Sequence, residues 1–539
     1  MLSADTAWVA DLDSDGRLWL GYYSQDSELL LRRPDGQIET VARPSNGSRP
    51  AGLTLAPLGE AIGFLWRSSG GLDVLSLLDT STMERRRIES PVPVLTRMRL
   101  TRLGDRTLVL WYGDAKRKPD PERYQIFLYW FESGDRQDVT QSVMPGFYPE
   151  WIVDQDGTIA VFSWTRGVDD RKIVMRRLVA GAEEFNPVQE IAETGRVTPI
   201  FQSFRSGNRW FVVWVGQYGE GGSELLLQGT WSDDQGETWN PFAFESLRGF
   251  DVSHLSVATD HEDHLFLAVS GNRRFQDPDE REDVILLRSM DNGSTFDPPN
   301  RLRGDGSRGF HGRNPNVALG PDPGQVFVVW EDWDGIRPRV KGSLSRDAGS
   351  TWKSMVLLSS NPGANYRLVP GKRSLFKTHT GLTLISERFD DTLTGKELVR
   401  SDVLLDEIEA VSEGPVSGAD EGSLRDRVRT YWQSMQKGDY QTTYTMLDPF
   451  FRARWTEANY LKRMGLISYK DFEIIETEHR GPLADVQIRF KASAEMGMRH
   501  GRAEPLEREG FMVERWLWVD GNWYREVFEE TTDTRYTQY

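Results

Sequence analysis

The sequence predicts a mainly β protein: repeated four-stranded antiparallel sheets, then a small α+β domain. Three observations carry this. The pattern Ser-x-Asp-x-Gly-x-Thr-aromatic occurs at Ser232, Asp234, Gly236, Thr238 and Trp239, again at Ser289, Asp291, Gly293, Thr295 and Phe296, and again at Ser345, Asp347, Gly349, Thr351 and Trp352. The copies start 57 and 56 residues apart, the period of a repeated β module. A looser signal, a Gly or Asp turn followed by alternating apolar residues, recurs through most of the chain. Beyond about residue 412 that pattern gives way to helical spacing.

Each position of the octamer has a task in a tight hairpin. The Asp carboxylate accepts from nearby backbone amides, Gly supplies a positive φ, the Thr hydroxyl closes the loop and the ring covers it.

The looser signal includes Gly59 to Trp66, Gly104 to Trp111, Gly157 to Trp164, Gly207 to Trp214 and Gly324 to Trp330, with weaker members starting at Gly16, Asp263 and Gly381. Alternation between turn residues is the strand signature. A short strand precedes each member, often introduced by Pro, and two more follow. Four antiparallel strands recurring every 43 to 61 residues describe the blades of a β-propeller. Eight units fit between about residues 7 and 412, with seven as the competing count. The recurring strand-end Trp residues suit the wedge between blades.

Residues 413–422 are acidic and rich in Gly and Ser, a linker composition. From Ser423, a plausible N-cap, Leu424, Val428, Tyr431, Trp432 and Met435 share one helical face. Two short helices and four strands follow, giving an α+β domain over 423–539. Its sheet, with Trp516, Trp518 and Trp523, is expected to offer an interface for self-association or subunit contact.

The octamers resemble the Asp box, or BNR repeat, of sialidase-like β-propellers. Lys437-Gly-Asp-Tyr440 and the closing Trp518 and Trp523 pair resemble an NTF2-like domain. The first resemblance implies an extracellular, periplasmic or cell-surface protein, with cytoplasmic as the alternative, because residues 1–8 lack the basic and apolar regions of a signal peptide. It also implies a comparison with catalytic sialidases, which grip a substrate carboxylate with three arginines and use a Tyr–Glu pair and an Asp. The first-blade Arg-Ile-Pro motif of that family is missing. The nearest strings are Arg196-Val-Thr-Pro199 and Arg313-Asn-Pro315.

Composition narrows the classes. A formal charge of −17 argues against nucleic-acid or anionic-membrane binding. No apolar run reaches membrane-spanning length. Without cysteine there are no disulfides or thiolate sites. Asp11, Asp13 and Asp15 resemble the start of a calcium loop, but Tyr22 stands where an EF-hand needs Glu, so they read as a hairpin turn. His254, His261 and His264 lack helical metal spacing. No metal or cofactor is expected.

Aligning the repeats places Arg67, Asp114, Arg166, Arg273, Glu331, Asp332 and Arg388 just after second strands, at the mouth. Guanidinium forks there suit a carboxylate or an anionic sugar. The resulting expectation is a non-catalytic exported protein that binds a carbohydrate or a partner protein, or belongs to an assembly. A sialidase-type glycoside hydrolase and a structural subunit are the alternatives.

Overall fold

The computed structural model describes residues 2–3, 5–24, 26–43, 51–58, 61–68, 74–79, 82, 84–89, 94–114, 124–140, 149–165, 172–194, 200–218, 224–260, 263–273, 282–302, 312–335 and 337–358. It further describes 365–369, 371–379, 381–389, 396–403, 421–447, 452, 456–465, 467–480, 483–494, 506–519 and 521–526. Within them the chain forms nine antiparallel sheets. Eight follow one another over residues 5–42, 51–89, 94–138, 150–193, 201–243, 251–301, 312–358 and 365–403. In the first seven the strands pair in chain order, each with the next.

The eight sheets stand in a cycle, as their cores show. Leu108 and Leu110 of the third sheet pack with Ile159 and Val161 of the fourth. Val109 and Trp111, pointing the other way, pack with Leu65 of the second. The same sharing links every consecutive pair of sheets, and Trp8, Leu20, Phe376 and Ile385 join the eighth to the first. A strand buried on both faces reads as an unbroken apolar run, which accounts for Thr107-Leu-Val-Leu-Trp-Tyr112. The strand-end rings Trp66, Trp111, Trp164, Trp214 and Trp330 all lie buried in these shared layers. The two ends of the eight-sheet run are tied as well: Leu2–Ser3 pairs with Lys396–Val403, the last strand of the eighth sheet. This arrangement is consistent with a propeller.

The octamers join the third and fourth strands of sheets five, six and seven. Their geometry repeats closely. Asp234 Oδ1 accepts from the Thr238 amide at 2.9 Å and Oδ2 from its hydroxyl at 2.6 Å, while Ser232 Oγ accepts from the Gly236 amide at 2.7 Å. Asp291 and Asp347 do the same within 0.1 Å. The residue before each glycine is also left-handed, with φ of 55° at Gln235, 53° at Asn292 and 52° at Ala348.

The carbonyl of that residue is gripped from the preceding sheet. Arg177 donates to Gln235 O at 2.7 Å, Arg209 to Asn292 O at 2.6 Å and Arg288 to Ala348 O at 3.0 Å. Each guanidinium also bonds the side chain two residues further on, which is Glu237, Ser294 or Ser350. The octamers therefore lock neighbouring sheets together besides turning the chain.

The remaining sheet comprises Ile467–Arg480, Leu483–Ala494, Leu506–Val519 and Asn522–Arg525, preceded by α1 (Glu421–Lys437), α2 (Tyr440–Thr445) and α3 (Glu457–Leu461). Helix α1 starts two residues inside the expected linker, so Ser423 is not its N-cap. Acidic residues at 420 and 421 suit a helix N-terminus through the macrodipole. Asp439 and Thr456 cap α2 and α3 through the Thr442 and Asn459 amides. The helical face expected from the sequence lies in the core, where Trp432 stacks on Phe472 and Phe490. Trp516 and Trp523 are fully buried there and Trp518 packs against them. The expected interface through these rings is thus corrected: they point inward, because Glu514 beneath them accepts both the Trp432 and Trp516 indole N–H groups at 3.2 Å. No helix among the described residues is long and apolar enough to cross a membrane.

Candidate functional site

The first strands of several neighbouring sheets run side by side, those of the sixth and seventh among the most closely. In sheets six and seven two of them break register near their starts, and there ionisable groups gather. The first strand of the sixth sheet, Asp251–Thr259, shifts between Val252 and His254. Ser253 is displaced, and its hydroxyl bonds the Ser270 carbonyl at 3.1 Å. His254, only 8% exposed, holds Nδ1 3.0 Å from Ser253 Oγ and 3.3 Å from Ser270 Oγ.

In the seventh sheet, Gly312–Leu319 shifts between Arg313 and Asn316. Asn314 takes a left-handed φ of 54°, a conformation that L-residues other than Asn and Asp seldom adopt. Its amide is buried, donating to Leu368 O at 3.2 Å and to Glu331 at 3.4 Å. Its Oδ1 has no donor among the described residues. Backbone strain of this kind gathers where side-chain placement matters.

Two arginine–carboxylate pairs flank these residues. Arg313 Nε donates to Glu282, and across the strands Arg313 stands opposite Glu331. Glu331 is fully buried and takes bonds from Arg367 Nη2 at 3.1 Å and the Leu368 amide at 3.2 Å. Burial is the main reason that the His254 imidazolium is disfavoured, bringing its pKa down to about 4. Glu282 and Glu331 oppose that shift and Arg313 adds to it, so all three lie within electrostatic reach of the ring. The result is a neutral imidazole among paired charges.

A second cluster belongs to residues 368–369 and 371–374, between Asn365–Arg367 and Leu375–Thr378, which both pair with the second strand of the eighth sheet. Lys372 Nζ donates to Trp8 O at 2.6 Å and stands 4.8 Å from that indole, while burial lowers its pKa to about 8. Arg373 and Asp11 face each other electrostatically, and burial raises Asp11 above the usual range. The Ser374 amide donates to Asn316 at 2.7 Å. The segment thus ties sheet seven to sheet one.

Of the residues expected at the mouth, four have described side chains, and these lie in different settings. Glu331 and Asp332 lie within the second strand, Val326–Gly335, and are buried. Asp332 accepts from the Trp330 indole at 2.9 Å and pairs with Lys341 at 3.6 Å. Arg388, within Gly381–Phe389, pairs with Glu397 on the next strand. Arg273 follows its strand and lies over the Phe250 ring at 5.8 Å. Arg67 is the last residue but one of Ala61–Ser68 and Asp114 ends Arg106–Asp114, but their side chains lie outside the described residues, as does the whole of Arg166. Among those whose side chains are described, only Glu331 joins the cluster.

His254, Glu282 and Arg367 had no sequence signal as a set, because they come from three stretches joined only by sheet packing. Arg313-Asn-Pro315 was visible as a string, though not as a bulge. Among the described residues no group of three or more potential ligands could hold a metal ion.

No family model and no curated protein matches the chain. Solved structures similar to it include a PL25 ulvan lyase, a polysaccharide lyase bound to -[GlcA(1-4)Rha3S]-, with TM-score 0.41 and 10% identity over 64% of this chain and 89% of that one. They include polysaccharide lyase Uly1, with TM-score 0.43 and 9% identity over 74% and 99%. Another is an alpha-L-arabinanase of Penicillium chrysogenum complexed with arabinobiose, with TM-score 0.29 and 15% identity over 46% and 78%. The expectation of a non-catalytic binding or assembly protein is corrected by this finding, because the similar structures are carbohydrate-active enzymes.

Proposed function

We propose that the chain is a carbohydrate-active enzyme working at the rim shared by sheets six, seven and eight. With this go the finer readings: an eight-bladed Asp-box propeller over 1–412, a linker at 413–422, an NTF2-like domain over 423–539, and an exported location. The observation that carries the proposal is His254, kept neutral within electrostatic reach of Arg313, the residue before the left-handed Asn314. A base must be unprotonated at working pH, and a cation beside it must be able to meet a substrate's negative charge.

These roles fit β-elimination on a uronate-containing polysaccharide. Arg313 exchanges Glu282 for the uronate carboxylate. His254 takes the proton from the carbon next to that carboxylate. The electron pair forms a C=C bond as the glycosidic C–O bond on the adjacent carbon breaks, and the departing oxygen takes a proton from water.

One observation favours hydrolysis instead: two carboxylates, Glu282 and Glu331, lie in the field of the same ring. The products separate the two. The purified protein is incubated with polygalacturonate, alginate, hyaluronan and arabinan. Ultraviolet absorbance from an unsaturated uronate reports elimination, and new reducing ends without it report hydrolysis. His254→Ala is expected to lower either rate at least 100-fold. No product from any polymer, or full activity in His254→Ala, would sink the proposal.

A further inference from the structure

We infer, resting on the enzymatic reading above, that Ser253 and Ser270 are positioning residues. They hold His254 in its Nδ1–H tautomer, so that Nε2 is the atom that takes the substrate proton.

A break in the strand brings the three side chains together. Neighbours on a regular strand point to opposite faces, so Ser253 and His254 would not ordinarily meet. The register shift between Val252 and His254 leaves an extra residue there, and both side chains turn to one side against Ser270. Ser270, the cross-strand partner of His254, also departs from the repeat. The equivalent strand end carries Trp66, Trp111, Trp164, Trp214 and Trp330 in other sheets. Directly opposed side chains begin only about 5 Å apart, so an indole at 270 would contend with the imidazole for one space. The small hydroxyl leaves that space open and is itself fully buried.

Counting protons assigns the tautomer. Ser253 Oγ lies 3.0 Å from His254 Nδ1, 3.1 Å from Ser270 O and 3.1 Å from Ser270 Oγ. A carbonyl oxygen only accepts, so the single Ser253 hydroxyl proton goes to Ser270 O. Ser253 Oγ then has lone pairs alone to offer, and it accepts from Nδ1–H and from the Ser270 hydroxyl. Ser270 Oγ, 3.3 Å from Nδ1, shares the ring proton. With the proton on Nε2 instead, the two hydroxyl protons could not serve all of these contacts, and lone pairs would face each other unbridged. Nε2 has no hydrogen-bond partner among the described residues, which leaves its lone pair for the substrate.

A neutral chain thus stands behind the base. From Nδ1–H through the Ser253 hydroxyl to the Ser270 carbonyl, each link polarises the next and strengthens it. A base oriented by a third group is the general form of such a site, and here that group carries no charge. When Nε2 takes the substrate proton, the C–H electron pair remains with the substrate and enters the C=C bond. The ring holds the positive charge until Nε2 releases its proton to water. Glu282 and Glu331 favour that charged form, and Arg313 opposes it.

The test reads the ring directly in the full protein. Histidine is labelled with the heavy nitrogen isotope, and the His254 signals are those missing from His254→Gln. Couplings to the ring C–H protons tell the nitrogens apart, because Nε2 couples to both and Nδ1 to one. At neutral pH the Nδ1–H form is expected, the reverse of a free imidazole side chain in water. Ser253→Ala frees the Ser270 hydroxyl to donate to Nδ1, so the ring is expected to change to Nε2–H. Its kcat then falls roughly 10- to 100-fold with KM unchanged, on whichever of polygalacturonate, alginate, hyaluronan and arabinan the native protein cleaves. Ser270→Ala keeps the Ser253 bridge and the tautomer, and Ser253→Thr restores both tautomer and rate. Thermal unfolding verifies that the variants fold. A native ring protonated on Nε2, an outcome that needs no variant, overturns the inference while leaving the enzymatic reading intact. So does an unchanged kcat in Ser253→Ala. If the native protein cleaves none of the polymers, the enzymatic reading falls and takes the role of Nε2 with it.

Discussion

Ala348 occupies a left-handed position, φ 52°, that its counterparts fill with Gln235 and Asn292. A β-carbon there costs on the order of 1 kcal/mol, and Asn bears it best among L-residues. Ala348→Asn is therefore expected to stabilise the protein by about 0.5–1 kcal/mol in denaturant titration; no gain would show that the strain is relieved elsewhere. At His254 the sign runs the other way with acid. Its folded pKa lies near 4, below the unfolded value of 6.5, so the unfolded chain binds more protons between those values. The stabilising contribution is complete above pH 6.5 and lost as the pH falls to about 4, up to about 3 kcal/mol before relaxation is discounted. His254→Gln should flatten this part of the stability–pH curve. Asp234 and Asp347, held to about 2 with help from Thr and Ser donors, add a second loss between pH 3.8 and about 2.

The octapeptide hairpin is an element with two obligations, to its own turn and to the sheet before it. Gly293 shows both: its φ is +77°, and a β-carbon would come within 2.6 Å of the buried Phe211 ring in the preceding sheet. Gly293→Ala is expected to cost about 2–3 kcal/mol, from backbone strain and overpacking together, measured as a lower denaturation midpoint. Arg209 supplies the clamp on Asn292 and Ser294 from that same sheet, and its guanidinium lies 3.7 Å from the Trp231 ring. Arg209→Ala should cost about 1–3 kcal/mol, more than Arg209→Lys, because Lys keeps charge but not the fork. Equal losses in the two variants would mean that charge alone matters. The sequence made the hairpin legible because every internal contact is local. It gave no sign of the arginine clamp, since Arg177, Arg209 and Arg288 are separated from their acceptors by 58, 83 and 60 residues.

At the scale of the whole molecule the issue is closure. Eight sheets share their cores with both neighbours, so the first and eighth must meet, and Leu2–Ser3, a strand of the eighth sheet, leads directly into the first. They meet through Trp8, Phe376 and Ile385, the pairing of Leu2–Ser3, and the bond from Lys372 to Trp8 O. Removing the last of these leaves a buried carbonyl with less support. Lys372→Ala is expected to lower the melting temperature, with a loss of about 1–3 kcal/mol. Because every sheet leans on two others, the loss should affect unfolding of the cycle as one transition; a separate early transition confined to one sheet would contradict that.

Local rules account for what the sequence determined alone. Period-2 runs, turn glycines and the three octamers define strands and hairpins because these depend on residues a few positions apart. The helical face of α1 was legible for the same reason. Assembly settled the rest. Arg388 looked like a ligand-seeking cation in the chain, yet it pairs with Glu397 on a neighbouring strand. Trp516 and Trp523 looked like an exposed face, but the buried Glu514 fixes which side is the core. His254 looked inert until two register shifts brought Glu282, Arg313 and Glu331 around it. The sequence determined the repeated module and its hairpins through short-range chemistry. Only the tertiary structure decided where charge is buried, paired or free to act, because that depends on which distant strands become neighbours.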